Sequence, residues 1–85
     1  MKVSVLYFAS LREAVGISKE VIDLPSEVAT IEHLLDILAL RGTHWKSALQ
    51  LSKGLRCALN QEVVSVETML MEGAEIAFFP PVTGG

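Results

Sequence analysis

The chain has 85 residues, of which 51% are hydrophobic and 20% charged, so it holds one hydrophobic core and is not an intrinsically disordered chain. Seven basic residues against ten acidic ones leave a net charge of -3, which disfavours nucleic acid as a partner because phosphate binding calls for a basic face. The single cysteine, Cys57, gives no basis for an internal disulfide or a thiolate zinc site.

Lys2 to Ala9 (KVSVLYFA) is rich in β-branched and aromatic residues and reads as a strand. Alternation puts Lys2, Ser4, Leu6 and Phe8 on one face and Val3, Val5, Tyr7 and Ala9 on the other. The polar start of the first set turns it to water and leaves Phe8 partly exposed. Ser10 and Glu13 match a capping box at the start of a short helix that Gly16 ends. Val21 to Leu24 reads as a second strand, closed by Pro25-Ser26. Thr30 is the expected N-cap of the main helix, with Glu32 in its first turn. Ile31, Leu34, Leu35 and Leu38 follow at i, i+3, i+4 and i+7, an apolar stripe suited to facing a sheet. Arg41 in the last turn and Gly42 beyond it are stop signals. Trp45 to Leu51 suggests a further short helix, and Leu55 to Leu59 a strand. Asn60-Gln61 marks a turn into a strand over Val63 to Val66. Glu72-Gly73 is a second turn, leading to the last strand, Ala74 to Phe79.

This order predicts an α+β protein, a mixed sheet with one main helix packed on one face. It resembles the ubiquitin-like β-grasp, although order alone also allows a ferredoxin-like arrangement. Residues 1-85 read as a single domain, with 80-85 an extended C-terminal tail. No stretch approaches the ~20 apolar residues that span a bilayer. Only Lys2 precedes the apolar run Val3 to Leu11, and Arg12 and Glu13 follow at once, which is not a signal-peptide pattern. The expectation is a cytoplasmic protein without membrane or nucleic-acid partners.

Catalytic chemistry is sparse. His33, beside the apolar stripe, and His44, in the loop after the main helix, have no third ligand at a sensible spacing, so no metal site is expected. Cys57 falls within a strand and reads as a small hydrophobe. The acidic residues are scattered, and there is neither a Gly-rich phosphate loop nor a nucleophile elbow.

The informative segment is Phe78-Phe79-Pro80-Pro81-Val82-Thr83-Gly84-Gly85. Two prolines after a strand fix φ and remove two donors, so pairing stops and the chain leaves the sheet. Val82 to Gly85 then reaches roughly 13 Å at ~3.3 Å per residue. Gly84 and Gly85 have no Cβ, so this end can thread a narrow channel and approach catalytic groups of another protein. The reactive group would be the α-carboxylate, ionised at neutral pH with a pKa near ~3.5, and a poor electrophile until activated as an acyl-adenylate. A chance Gly-Gly or a simple C-terminal peptide ligand is the plainer alternative.

The segment from Gly73 through FFPPVTGG resembles the C-terminal signature of the small-subunit family of molybdopterin synthase. The likeness extends to Tyr7-Phe8-Ala9, Leu11-Arg12-Glu13, Gly16 and Ala58-Leu59-Asn60-Gln61, and so covers nearly the whole chain. Ala74 departs from it, standing where the family often has an acidic turn residue. The resemblance implies a β-grasp sulfur carrier with no catalytic side chain, a non-catalytic subunit of a sulfurtransferase complex. A ubiquitin-activating-like adenylyltransferase would consume ATP to adenylate Gly85. A sulfur donor would then leave a C-terminal thiocarboxylate. The charged tail would enter the large catalytic subunit, within a heterotetramer, and give its sulfur to cyclic pyranopterin monophosphate for dithiolene formation in molybdenum cofactor biosynthesis. No permanently bound cofactor is implied. Such a carrier must bind two partners reversibly. Phe8, Val63 and Phe79 are expected as an exposed docking patch, with Pro80, Pro81, Val82 and Thr83 directing the tail. The rivals are a carrier for thiamine or tRNA thiolation, a ubiquitin-like modifier of lysines, and a β-grasp binding module with an incidental tail.

Overall fold

The first strand, β1 (Lys2–Tyr7), alternates as its sequence dictates: Val3, Val5 and Tyr7 are buried while Lys2 is exposed. It belongs to a computed structural model that describes residues 1–81. The remaining elements are α1 (Ala9–Val15), β2 (Lys19–Asp23), α2 (Ile31–Ala39), α3 (Thr43–Ala48), β3 (Arg56–Leu59), β4 (Glu62–Val64) and β5 (Glu75–Phe79). A short 3-10 turn, Leu51–Lys53, lies between α3 and β3.

The five strands form one sheet in the order β2-β1-β5-β3-β4. The first and last strands of the chain are neighbours and run parallel, with Val5 beside Ile76 and Tyr7 beside Phe78. All other pairings are antiparallel. Consecutive β1 and β2 therefore form a hairpin. This separates the ubiquitin-like β-grasp seen here from a ferredoxin-like fold, whose helix crossover makes the flanking strands parallel.

Val5, Tyr7, Ile76, Phe78 and Cys57 on one sheet face are buried, as are Ile31, Leu34, Leu35 and Leu38 of α2. Each fully buried aliphatic or phenyl side chain contributes about 1.5–3 kcal/mol relative to exposure, and this shared core holds helix to sheet. Thr30 caps α2 as its sequence predicts, its Oγ1 accepting from the His33 N–H at 3.2 Å. The Asn60–Gln61 turn has φ of 49° and 71°, the left-handed pair that a two-residue hairpin requires. Asn60 Oδ1 also accepts from the Glu75 N–H at 2.9 Å, tying this turn to β5.

Other expectations need correction. No capping box forms at α1: its N-cap is Phe8, and no side chain caps it. The helix begins at Ala9, which puts Ser10 inside the first turn rather than before it, and β1 ends at Tyr7. The Phe8 carbonyl accepts from the N–H groups of Leu11 and Arg12 instead. β2 starts at Lys19, earlier than its apolar residues suggest, because pairing of Glu20 with Val5 and Lys19 with Leu6 extends it. α2 ends at Ala39, so Arg41 lies beyond the helix. His44 sits within α3 rather than in a loop, and α3 ends at Ala48. β4 is also shorter than expected, closing at Val64.

Candidate functional site

The tail's root is set by β5. This strand lies between β1 and β3, and its last residue, Phe79, pairs in register with Arg56. The Phe8 N–H donates to the Phe78 carbonyl at 3.1 Å. Beyond this, Pro80 and Pro81 have no N–H to offer either neighbouring strand, and the ladder stops. The two prolines form part of the wall of a groove of about 510 Å³, together with Leu11 and Ala14 of α1, Ala48 of α3, and Leu55. Its polar side carries His44 and Lys53, and Lys53 Nζ lies 3.5 Å from Ser47 Oγ. The chain thus leaves the sheet past an apolar wall whose charged member is a cation.

The sheet face opposite the helices carries two of the expected docking residues, Val63 and Phe79, whereas Phe8 lies past the end of β1 as the N-cap of α1. By alternation and register, Leu6, Ala77, Phe79, Ala58 and Val63 share that face. Val63 is 55% exposed and Phe8 46% exposed. Phe79 is only half-buried, so it is not the fully exposed anchor its position suggested. β5 is an interior strand, and Phe79 pairs in register with Arg56 of β3. Pro80 is likewise half-buried, and Pro81 is exposed. Val82, Thr83, Gly84 and Gly85 lie outside the described residues.

A polar chain joins β1, β2 and α3 through Arg41 of the α2–α3 connection. The Tyr7 hydroxyl donates to Glu20 Oε2 at 2.7 Å. Arg41 grips both Glu20 oxygens, Nη1 to Oε2 at 2.7 Å and Nη2 to Oε1 at 2.9 Å. The Arg41 guanidinium also sits 4.6 Å from the Trp45 ring centroid, and Trp45 meets Tyr7 edge-on at 5.5 Å. Burial pushes the Glu20 carboxyl up, but the hydrogen bonds from Arg41 and Tyr7 outweigh it and hold the group below the usual carboxylate range. Burial, reinforced by the bond to Glu20, pushes the Tyr7 phenol above its ordinary value. None of this was legible from spacing, since Glu20 and Arg41 are 21 residues apart.

Cys57 is buried, its Sγ 3.2 Å from the Val64 carbonyl oxygen, and burial raises its thiol pKa, which suits a packing role. His33 Nδ1 accepts from the Ala29 N–H at 3.3 Å, which ties the chain entering α2 to its first turn. Among the described residues, no three His, Cys, Asp or Glu side chains stand together as metal ligands. Nor is any helix there long and apolar enough to cross a membrane. The sequence reading missed the groove, because its walls come from residues as far apart as Leu11 and Pro81. Gly54 was likewise not singled out by the sequence, since its φ of 84° and its place beside Pro81 exist only in the fold.

Comparison with known proteins gives concordant results. The ThiS family model matches residues 5–85. The molybdopterin synthase sulfur carrier subunit of Haemophilus influenzae is 44% identical over 96% of this chain and 98% of its own length. Its Escherichia coli counterpart is 41% identical over 98% and 99%. Among solved structures, SAMP1 from Haloferax volcanii superposes with a TM-score of 0.82 at 27% identity, covering all of both chains. A Helicobacter pylori complex of subunits 1 and 2 of molybdopterin-converting factor matches with a TM-score of 0.65 at 28% identity, again covering both chains in full. A family match over nearly the entire sequence, joined to near-full-length relatives at 41% and 44% identity, settles the kinship: the chain belongs to the ThiS family.

Proposed function

We propose that this protein is a cytoplasmic sulfur carrier subunit of molybdopterin synthase, and that its cargo hook is the α-carboxylate of Gly85. The observation that carries this reading is the near-full-length identity to relatives bearing that name. The geometry at the end of the described chain supports it. A central strand stops at two prolines, and the four remaining residues end in Gly84-Gly85.

The chemistry follows from the weakness of a carboxylate as an electrophile. A partner adenylyltransferase lets the Gly85 carboxylate oxygen attack the α-phosphorus of ATP, releasing pyrophosphate. A hydrosulfide-level sulfur donor then attacks the acyl carbon, and AMP departs with the bonding pair, leaving a thiocarboxylate with no change of oxidation state. The tail enters the large catalytic subunit, whose side chains direct the sulfur to cyclic pyranopterin monophosphate. A dithiolene takes two sulfurs, so a spent carrier leaves and a charged one replaces it. Its place is in a heterotetramer with two copies of each subunit, and the Helicobacter pylori complex of subunits 1 and 2 supports such pairing. This chain contributes the presented carboxylate, the slender approach and the docking surface; ATP and the catalytic side chains belong to its partners.

The test is intact mass after incubation with ATP, the adenylyltransferase and a sulfur source. The expected gain is one oxygen-to-sulfur exchange. Deleting Gly85, appending one residue after it, or blocking it as an amide abolishes that gain and the transfer to pterin while the fold persists. Transfer by any of these variants overturns the reading. The likeness to SAMP1, a small archaeal modifier protein by name in other solved structures, favours a second reading, a modifier of protein lysines. Covalent adducts on target proteins in cells, without the sulfur exchange, would establish it instead.

A further inference from the structure

Gly54 ends the 3-10 turn Leu51–Lys53, its N–H donating to the Leu51 carbonyl at 3.0 Å, with φ at +84°. That conformation favours glycine by itself. A second demand falls on the same atom. A Cβ placed on Gly54 would stand 3.1 Å from Pro81 Cγ and 3.3 Å from Pro81 Cβ. The Pro81 ring therefore rests on the bare Cα of Gly54, at the last described residue before the tail. Gly16 makes the contrast. It also has φ of +84° at a helix end, yet a Cβ there would meet nothing within 4 Å.

We propose that Gly54 is a positioning residue for the C-terminal tail: its missing side chain is the seat on which Pro81 rests, and that seat fixes where the tail starts. The inference deepens the sulfur-carrier reading and rests on it for its functional consequence. When the body is docked on a partner, the terminal carbonyl carbon must reach the reacting group across a span of four residues, at most roughly 13 Å. A root pushed aside shifts this reach while the docking surface stays intact. Misplacement of a reacting atom by about 1 Å can cost on the order of 100-fold in rate. A side chain at Gly54 moves Pro81 by only a few tenths of an ångström directly, and the expected loss is accordingly about tenfold.

The test compares full-length Gly54→Ala and Gly16→Ala. Both carry the same φ penalty, so both melt at lowered temperatures, Gly54→Ala at the lower of the two; only Gly54→Ala crowds Pro81. With the adenylyltransferase and the large subunit, Gly54→Ala is expected to lose about tenfold in kcat for adenylation and sulfur transfer with KM unchanged, whereas Gly16→Ala keeps both. In a Pro81→Ala background the further cost of Gly54→Ala falls below about twofold, because the crowded ring has gone. Equal kcat for the two glycine variants, or an undiminished Gly54 effect without Pro81, overturns the proposal. If Gly54→Ala fails to fold, the contact itself decides, together with Pro81→Ala, whose unchanged kcat would refute the seat. Nuclear Overhauser contacts between the Gly54 α-protons and the Pro81 ring give a readout independent of sulfur chemistry. Their presence in the unmodified protein supports the seat and their absence sinks it, whereas a carrier that takes no sulfur counts against the sulfur-carrier reading.

Discussion

Glu20 sits where burial alone favours the neutral acid, and two hydrogen bonds reverse that preference. Its folded pKa is lowered, so the stability it contributes is fully present above the unfolded value of ~4.3 and lost as pH falls through the folded value. Tyr7 runs the other way: its folded pKa is raised, so its contribution holds below ~10 and declines as pH rises above that. Urea denaturation across pH should therefore show Glu20→Gln flattening the acid limb and Tyr7→Phe the alkaline limb. An acid limb as steep in Glu20→Gln as in the parent would refute the assignment. Arg41→Ala should cost about 1–2 kcal/mol at neutral pH, between a surface pair and a buried charged hydrogen bond, because Glu20 loses both guanidinium contacts. At this scale the sequence was informative wherever a residue acts locally, as Thr30 does on the His33 N–H. It was silent on Arg41, which as a lone residue looks like a helix-end charge, and whose partner is supplied by the fold.

Elements were legible in proportion to the strength of their own pattern. The α2 stripe has four apolar residues in helical register, and all four are buried. Its contribution is correspondingly large: Leu34→Ala, at a fully buried position, should cost about 2–5 kcal/mol. Thr30→Ala should cost about 1 kcal/mol through the lost cap. Equilibrium unfolding of both variants checks the ratio; a cap loss equal to the core loss would mean that α2 is held by its end rather than by its face. α1 was less legible because Ser10 and Glu13 offer a capping box two residues too late. Tertiary pairing holds Phe8 against Phe78, so the helix starts immediately after it, and the serine falls inside. The sequence pattern marks too short a β2 for a related reason. Lys19 and Glu20 have weak strand preference, yet β1 offers them partners, and cross-strand pairing overrides propensity.

At the scale of the whole molecule the tail's root lies between two surfaces, an open sheet face and a groove walled by helices. The composition and order of elements foretold the sheet and its covered face. They could not foretell the groove, whose lining is contiguous only after β5 has returned to the centre of the sheet. A carrier that meets two partners needs a docking surface separable from the reacting end, and Phe8 and Val63 are exposed without belonging to the core. Val63→Asp and Phe8→Ala should each weaken binding to the large subunit about tenfold, which corresponds to ~1.4 kcal/mol, with melting temperatures nearly unchanged. Removing residues 82–85 is the converse variant, abolishing sulfur transfer while leaving the sheet face to bind. Titration calorimetry of the three against the large subunit separates the roles. Full-strength binding by Val63→Asp and Phe8→Ala would transfer the docking role to the groove side, where Lys53 and His44 would then be the residues to change.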